Sequence, residues 1–319
     1  MTQSFCKGLA LTLPLFLSWP CLAQTDQLTS EELAQRNVER RGVEAVLWAM
    51  PAVNFELLYQ AMEKAGGKWN QVVYWSRPLS WKNQTLTPNP DTIYLFPFYN
   101  TKDAGPMVLE IPPADGGSVT GSIDDGWQGA LEDVGPAGVD KGKGGKYLIL
   151  PPDYKDPVPE GYIALPSQTY AGYGVLRSNI KSSSDEDVAK AVEYGKRIKF
   201  YPLSQADNPP LTTFVDATDI LYDSTIPYDL RFFEALDRFV QREPWLDRDR
   251  VMIDQLKSIG IEKGKPFSPD RNTQTILNDA AREAHSWLDA KYDAFFSPAY
   301  FEGTTGRCRH LPTSSKGWR

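Results

Sequence analysis

Residues 85–100 read TLTPNPDTIYLFPFYN, and this stretch decides how the rest of the chain is read. Pro88 and Pro90 flank Asn89. Neither proline donates a backbone hydrogen bond, and each pushes the residue before it toward extended geometry. Asp91 and Thr92 follow, and then the run from Ile93 to Tyr99, dense in aromatic and β-branched residues. That composition predicts a strand. The run is continuously apolar where a half-exposed strand would alternate, so both of its faces are predicted to be covered. A polar turn that feeds a buried strand can hold Asn and Asp side chains at a fixed position.

Outward from this stretch, short apolar segments recur between turn signals. Strands are predicted at 72–76, 107–111, 119–123, 126–131, 145–150, 162–165 and 169–178. Prolines, glycines and the Asp124-Asp125-Gly126 triplet separate them. Short strands at this spacing point to a sandwich or a barrel.

The sequence TPNPDTIY resembles the signature of the exported bacterial domain-of-unknown-function 1254 proteins, which usually carry a 1214-type domain after it. GPMVLEIP (105–112), GGKYLILPPDY (144–154) and the IGIEKGKPF that follows FFEAL (232–267) add to the resemblance. It spans residues 38–301. It implies an immunoglobulin-like β-sandwich, a helical region and a C-terminal jelly-roll-like β domain, and it implies no reaction. The chain stops at Arg319, where that last domain is expected to begin.

Residues 1–23 are expected to be a secretory signal peptide. Lys7 supplies a thin positive region, 8–19 form an apolar segment too short to span a bilayer, and Cys21-Leu22-Ala23 is a small-residue cleavage site. Pro20 before Cys21 argues against a lipoprotein. The expected destination is the periplasm or the exterior, with cleavage after Ala23. Of the three cysteines, Cys6 and Cys21 leave with the leader, so Cys308 cannot form an internal disulfide and the fold must be held by its core. The 319 residues suffice for that. A net charge of −7 argues against nucleic acid and anionic lipid as partners.

Helices bracket the β-rich region. Thr29-Ser30-Glu31-Glu32 has capping-box spacing. A helix is predicted from there to Ala49, broken or kinked at Pro51, with helical periodicity resuming at 54–64. Further helices are predicted from Ser184 to about Phe200, at 229–241, at 249–259, and from an N-cap at Ser268 to Phe296 with Ile276, Ala280, Ala284, Trp287, Leu288 and Phe295 as its apolar stripe. The expected organisation is a leader (1–23), N-terminal helices (24–68), a sandwich (69–180), a helical region (181–302) and a disordered tail (303–319). The fold class is α+β, an antiparallel immunoglobulin-like sandwich with helices before and after it.

Histidine is too scarce for the familiar catalytic sets. His285 lies mid-helix among apolar neighbours, and His310 shares the tail with Cys308. A histidine- or thiolate-rich zinc site is excluded by count. GPAGVDKGKGGK at 135–146 has the wrong spacing for a phosphate loop and reads as a hairpin loop. Carboxylates and aromatics remain. If Asp91 meets Asp124 or Asp125 at one end of the sandwich, the group suits either a hard cation such as structural calcium or an acid–base pair. Equally, Asp124-Asp125-Gly126 is a turn in which an aspartate bonds its own backbone. Asn89, Tyr94 and Trp127 are the candidate ligand contacts. Trp69, Tyr74, Trp75 and Trp81 either fill the core or offer a stacking platform.

Three functions fit these residues. The first is an exported, non-catalytic binding or structural module for a small molecule or glycan, needing no cofactor. The second is a periplasmic hydrolase or lyase acting on carbohydrates or esters through Asp91, Asp124 or Asp125. The third is a subunit completed by forming a homo-oligomer.

Overall fold

The computed structural model describes residues 27–85 and 89–295. The expected leader, the 303–319 tail with Cys308 and His310, and Leu86, Thr87 and Pro88 lie outside the described residues.

The capping box forms as its spacing predicts. Thr29 Oγ1 accepts from the Glu32 amide, the Glu32 carboxylate accepts from the Thr29 amide, and helix α1 runs from Ser30 to Lys64. Pro51 does not break it; the proline lies inside the helix. Its own carbonyl accepts a hydrogen bond of 2.8 Å from Gln128 Nε2.

Among the described residues, twelve strands follow in three sheets. β1 is Gln71–Tyr74, β2 Asn83–Gln84, β3 Thr92–Asn100, β4 Met107–Ile111, β5 Val119–Asp125 and β6 Ala130–Val134. β7 is Gly145–Leu150, β8 Tyr162–Pro166, β9 Ala171–Asn179, β10 Lys199–Pro202, β11 Phe214–Asp216 and β12 Tyr222–Asp223. A six-stranded sheet has the order β11-β1-β3-β9-β5-β6, a four-stranded sheet the order β10-β4-β7-β8, and β12 pairs with β2. Helix α2 (Thr101–Ala104) turns the chain between the sheets, and α3 (Asp185–Gly195) follows β9. The remaining helices are α4 (Leu230–Arg242), α5 (Arg250–Ser258) and α6 (Arg271–Phe295).

The α+β class is observed, but the antiparallel immunoglobulin-like order is not. β1 and β11 pair in parallel, as do β7 and β8 and also β12 and β2. An immunoglobulin sandwich is antiparallel throughout. Nor is the stretch after residue 180 purely helical. The predicted helix to Phe200 stops at Gly195, and β10 and β11 join the two larger sheets. Their residues are too few to show a strand period. The 135–146 loop links β6 to β7, which belong to different sheets, so it is not a hairpin. α6 begins two residues later than an N-cap at Ser268 predicts; Asp270 Oδ1 accepts from the Thr273 amide at 2.8 Å. Its buried stripe holds Leu277, Ala280, Ala281 and Ala284, while Trp287 and Phe295 are exposed.

β3 is buried from Thr92 to Tyr99, as its unbroken apolar run predicts. It lies between β1 and β9. One face joins the core between the two large sheets, where Ile93, Leu95 and Tyr99 meet Leu109, Tyr147 and Ile149. The other face carries Tyr94, Phe96 and Phe98 toward α1, against Phe55, Leu58 and Tyr59. Pro97 sits mid-strand in this central position, where it removes a ladder donor. The registered pairing with β9 skips there, from Leu95 opposite Leu176 to Phe98 opposite Tyr173.

α1 has two burdens. Ala45, Val46, Ala49 and Val53 pack against Phe232, Phe233 and Leu236 of α4 and Leu277 of α6, whereas Phe55, Leu58 and Met62 cover the sheet. A buried ionic clasp joins these layers. Arg242 donates to Glu56 Oε2 at 2.8 Å and to Glu243 Oε1 at 2.7 Å, and Glu243 Oε2 accepts from the Tyr170 amide at 2.6 Å. The guanidinium also lies 5.1 Å from the Trp69 ring centre. Burial pushes the Glu243 carboxyl up, and Arg242 and the two backbone donors pull it back down.

Candidate functional site

Side chains that alternate along a strand share a face, and directly paired residues on neighbouring antiparallel strands stand side by side on it. On the α1-facing side of the six-stranded sheet, Tyr94 pairs with Arg177 across β3 and β9. On the other flank of β9, Thr120 pairs with Arg177, Ser122 with Val175 and Asp124 with Tyr173. The α1-facing surface is therefore aromatic and apolar in its middle and polar at both ends.

α1 does not seal against all of this surface. A cavity of about 110 Å³ remains between Leu58 of α1, Leu79, and Phe96, Tyr173 and Val175 of the sheet. For scale, ~150 Å³ accommodates one benzene ring. The skipped pairing at Pro97 lies alongside it. Polar groups reach the walls at separate points. Tyr173 donates to Gln128 Oε1 at 3.4 Å, and Gln128 Nε2 donates to Asn54 Oδ1 at 2.9 Å. The Tyr94 hydroxyl accepts from the Asn89 amide at 3.2 Å. Ser224, just past β12, is 2 % exposed, and its hydroxyl has no hydrogen-bond partner among the described residues. Arg177 is exposed at the edge of the cavity, its guanidinium 5.5 Å from the Tyr94 ring centre. No ion pair engages it among the described residues.

The centre built on Asp91 together with Asp124 or Asp125 does not assemble. β3 and β5 both run antiparallel to β9, so they run the same way as each other. Asp91 precedes Thr92, which pairs with Asn179, while Asp124 pairs with Tyr173. Six residues of β9 separate those levels, ~20 Å of strand. Asp91 is exposed, and its carbonyl accepts from the Ile180 amide at 2.9 Å.

Asp125 behaves as a turn residue. Its Oδ1 accepts from the Trp127 and Gly129 amides, each at 2.9 Å. Burial raises its carboxyl, and those donors and Arg248 oppose the rise. Asp124 is different. It is 8 % exposed, and burial pushes its carboxyl up to about 6, against a hydrogen bond from Ser122; the charges of Asp125 and Asp133 add to the rise. The Asp124 charge in turn raises the Tyr173 phenol, whose main perturbation is burial. Among the described residues, no three or more His, Cys, Asp or Glu side chains gather as metal ligands.

Trp127 is a packing residue. Its ring lies 4.8 Å from Trp48 and 5.1 Å from Phe239. Trp69, Tyr74 and Trp75 also pack in the cores, leaving Trp81 exposed at 74 %. His285 stacks on Tyr228 at 3.9 Å. Of the sequence-derived ligand candidates, Tyr94 lines the cavity and Asn89 touches it through Tyr94. Arg177, Tyr173, Gln128 and Ser224 were not singled out. An arginine following Tyr173 and Val175 at strand spacing was a usable signal for the first; nothing in the sequence marks Ser224.

These features define an α+β protein in which a long N-terminal helix roofs one face of a mixed sheet over a small apolar cavity. Residues 69–202 match the family model described as "Protein of unknown function (DUF1254)", so the resemblance carried by the TPNPDTIY stretch holds over this segment. The match does not extend to a 1214-type part. The crystal structure of the VPA0106 protein from Vibrio parahaemolyticus is similar, with a TM-score of 0.55 at 16% identity over 80% of this chain and 59% of that one. At that identity the likeness speaks for the fold, and this chain spans 59% of the neighbour's length. Among curated proteins nothing matches.

Proposed function

We propose that this chain is an exported binding protein that takes a small organic ligand into the cavity between α1 and the six-stranded sheet. The observation that carries the reading is Ser224, a hydroxyl buried at an apolar cavity wall with no partner among the described residues. Buried polar atoms in folded proteins are nearly always paired, because leaving one unpaired costs about 1–3 kcal/mol. A ligand that supplies the missing bond accounts for the hydroxyl. Apolar walls with a few separated polar groups are the usual makeup of a small-molecule site. Export rests on the leader-like residues 1–23. The test is a thermal-shift screen of the purified chain against single-ring and short branched compounds, small sugars and calcium. Stabilisation by ring-sized compounds that disappears in a cavity-filling Val175→Phe variant is the expected outcome. Equal shifts in both proteins would remove the cavity as the site.

One observation favours a second reading, a hydrolase. Asp124 is held at about 6 beside Tyr173, which lines the cavity, and a carboxyl in that range suits general acid–base work near neutrality. Hydrolysis of an ester or glycoside panel that is lost in Asp124→Asn but kept in Asp91→Asn would establish it. Calcium held by Asp124 and Asp125 through oxygen is tested in the same screen, by a shift that Asp125→Asn abolishes.

A further inference from the structure

We infer that the cavity's ligand is a small organic acid, its carboxylate held by Arg177 and its apolar body lying against Val175, Phe96 and Leu58. This rests on the reading of the cavity as a binding site and adds the chemical class of the occupant.

Among the described residues, Arg177 is the one charged side chain bordering the cavity. It stands on the same sheet face as Tyr173 and Val175, four and two residues before it on β9, so the strand aims it at the same side as the apolar wall. Its cross-strand neighbours are Tyr94 and Thr120, neither of which carries a charge. No carboxylate among the described residues pairs with it, whereas Arg242, another arginine lying over aromatic rings, meets two. The guanidinium instead lies 5.5 Å from the Tyr94 ring centre. Stacking on a ring restrains the plane of the guanidinium and leaves its N–H edge available. That edge fits a carboxylate bidentately, which a neutral polar group cannot match.

The rest of the site limits what else the acid carries. The volume of about 110 Å³, below the ~150 Å³ that holds a benzene ring, takes a short branched chain or the inner part of a ring whose polar end stays at the cavity edge. The Ser224 hydroxyl, which donates one hydrogen bond and accepts others, offers a single polar contact inside. Since the chain as a whole has a net charge of −7, attraction of an anion is a local property of Arg177 and not of the overall field.

The test is isothermal titration of the purified chain with benzoate, benzamide and benzyl alcohol, which share a ring and differ in charge. Benzoate is expected to bind at least about tenfold more tightly than benzamide. Arg177→Gln should reduce benzoate to the level of benzamide and leave benzamide unchanged, and Arg177→Lys should restore part of the difference. Arg177 is exposed, so these variants are expected to keep the wild-type melting temperature, which is measured alongside. Equal binding of charged and neutral ligands, or a benzoate preference that survives Arg177→Gln, overturns the inference while leaving the cavity as a binding site. If none of the three ligands binds, the cavity reading falls and this inference falls with it.

Discussion

Asp124 and Ser224 place opposite demands on the fold, and both demands are measurable. The folded state holds the Asp124 carboxyl at about 6 against an ordinary 3.8, so the native chain keeps this proton more tightly than the unfolded chain does. The stability from that preference is complete below the unfolded value and is lost as pH rises from about 3.8 through about 6. Allowing for solvent screening, ~1–2 kcal/mol is at stake. Asp124→Asn should abolish that decline, so that urea unfolding near pH 7 shows the variant more stable than wild type and unfolding near pH 4 shows no difference. Ser224→Ala removes a buried hydroxyl that no described residue satisfies. Its expected effect on unfolding is neutral to ~1 kcal/mol stabilising, accompanied by weaker ligand binding. A destabilised Ser224→Ala would mean that the hydroxyl has a structural partner.

At the scale of elements, the clasp of Arg242 with Glu56 and Glu243 fixes where α4 and α1 stand relative to the sheet, and hence the height of the cavity roof. Arg242→Ala takes the cation from buried Glu243 and leaves Glu56 with only Arg238, 3.4 Å away, and should cost ~3 kcal/mol in urea unfolding. In a double-mutant cycle with Glu56→Gln, the two losses should fall well short of adding. The elements themselves were mostly legible. The unbroken apolar run of β3 announced a strand covered on both faces, and the caps at Thr29 and Ser184 marked two helix starts correctly. Pairing was less so. β10, β11 and β12 have four, three and two residues, too few for any period to show, and their partners are set by distant contacts. The Asp91 expectation failed for the same reason. A meeting of Asp91 with Asp124 or Asp125 needs β3 and β5 to pair as neighbours, but β9 lies between them and reverses which ends meet. Pro51 misled in another way. Its helix-breaking tendency is overridden by packing on both sides of α1, and its carbonyl finds Gln128.

For the molecule as a whole, α1 belongs to two cores at once, one with α4 and α6 and one with the sheet. Neither layer should survive loss of the other. Urea unfolding followed by far-ultraviolet circular dichroism, which reports helix, and by tryptophan fluorescence should therefore trace a single coincident transition. Two separated transitions would show that the helical layer and the sheets are independent units. The same architecture explains why the site sits where it does. The gap lies beneath Asn54 and Leu58 in the second half of α1, and Pro97 removes a ladder donor beside it. The central claim is that this gap is the binding site, and a backbone amide NMR titration of the chain with benzoate tests it most directly. The account predicts saturable shifts concentrated at residues 54–58 and 173–177; shifts clustered on the four-stranded sheet or the α4–α6 layer, or none at all, would contradict it.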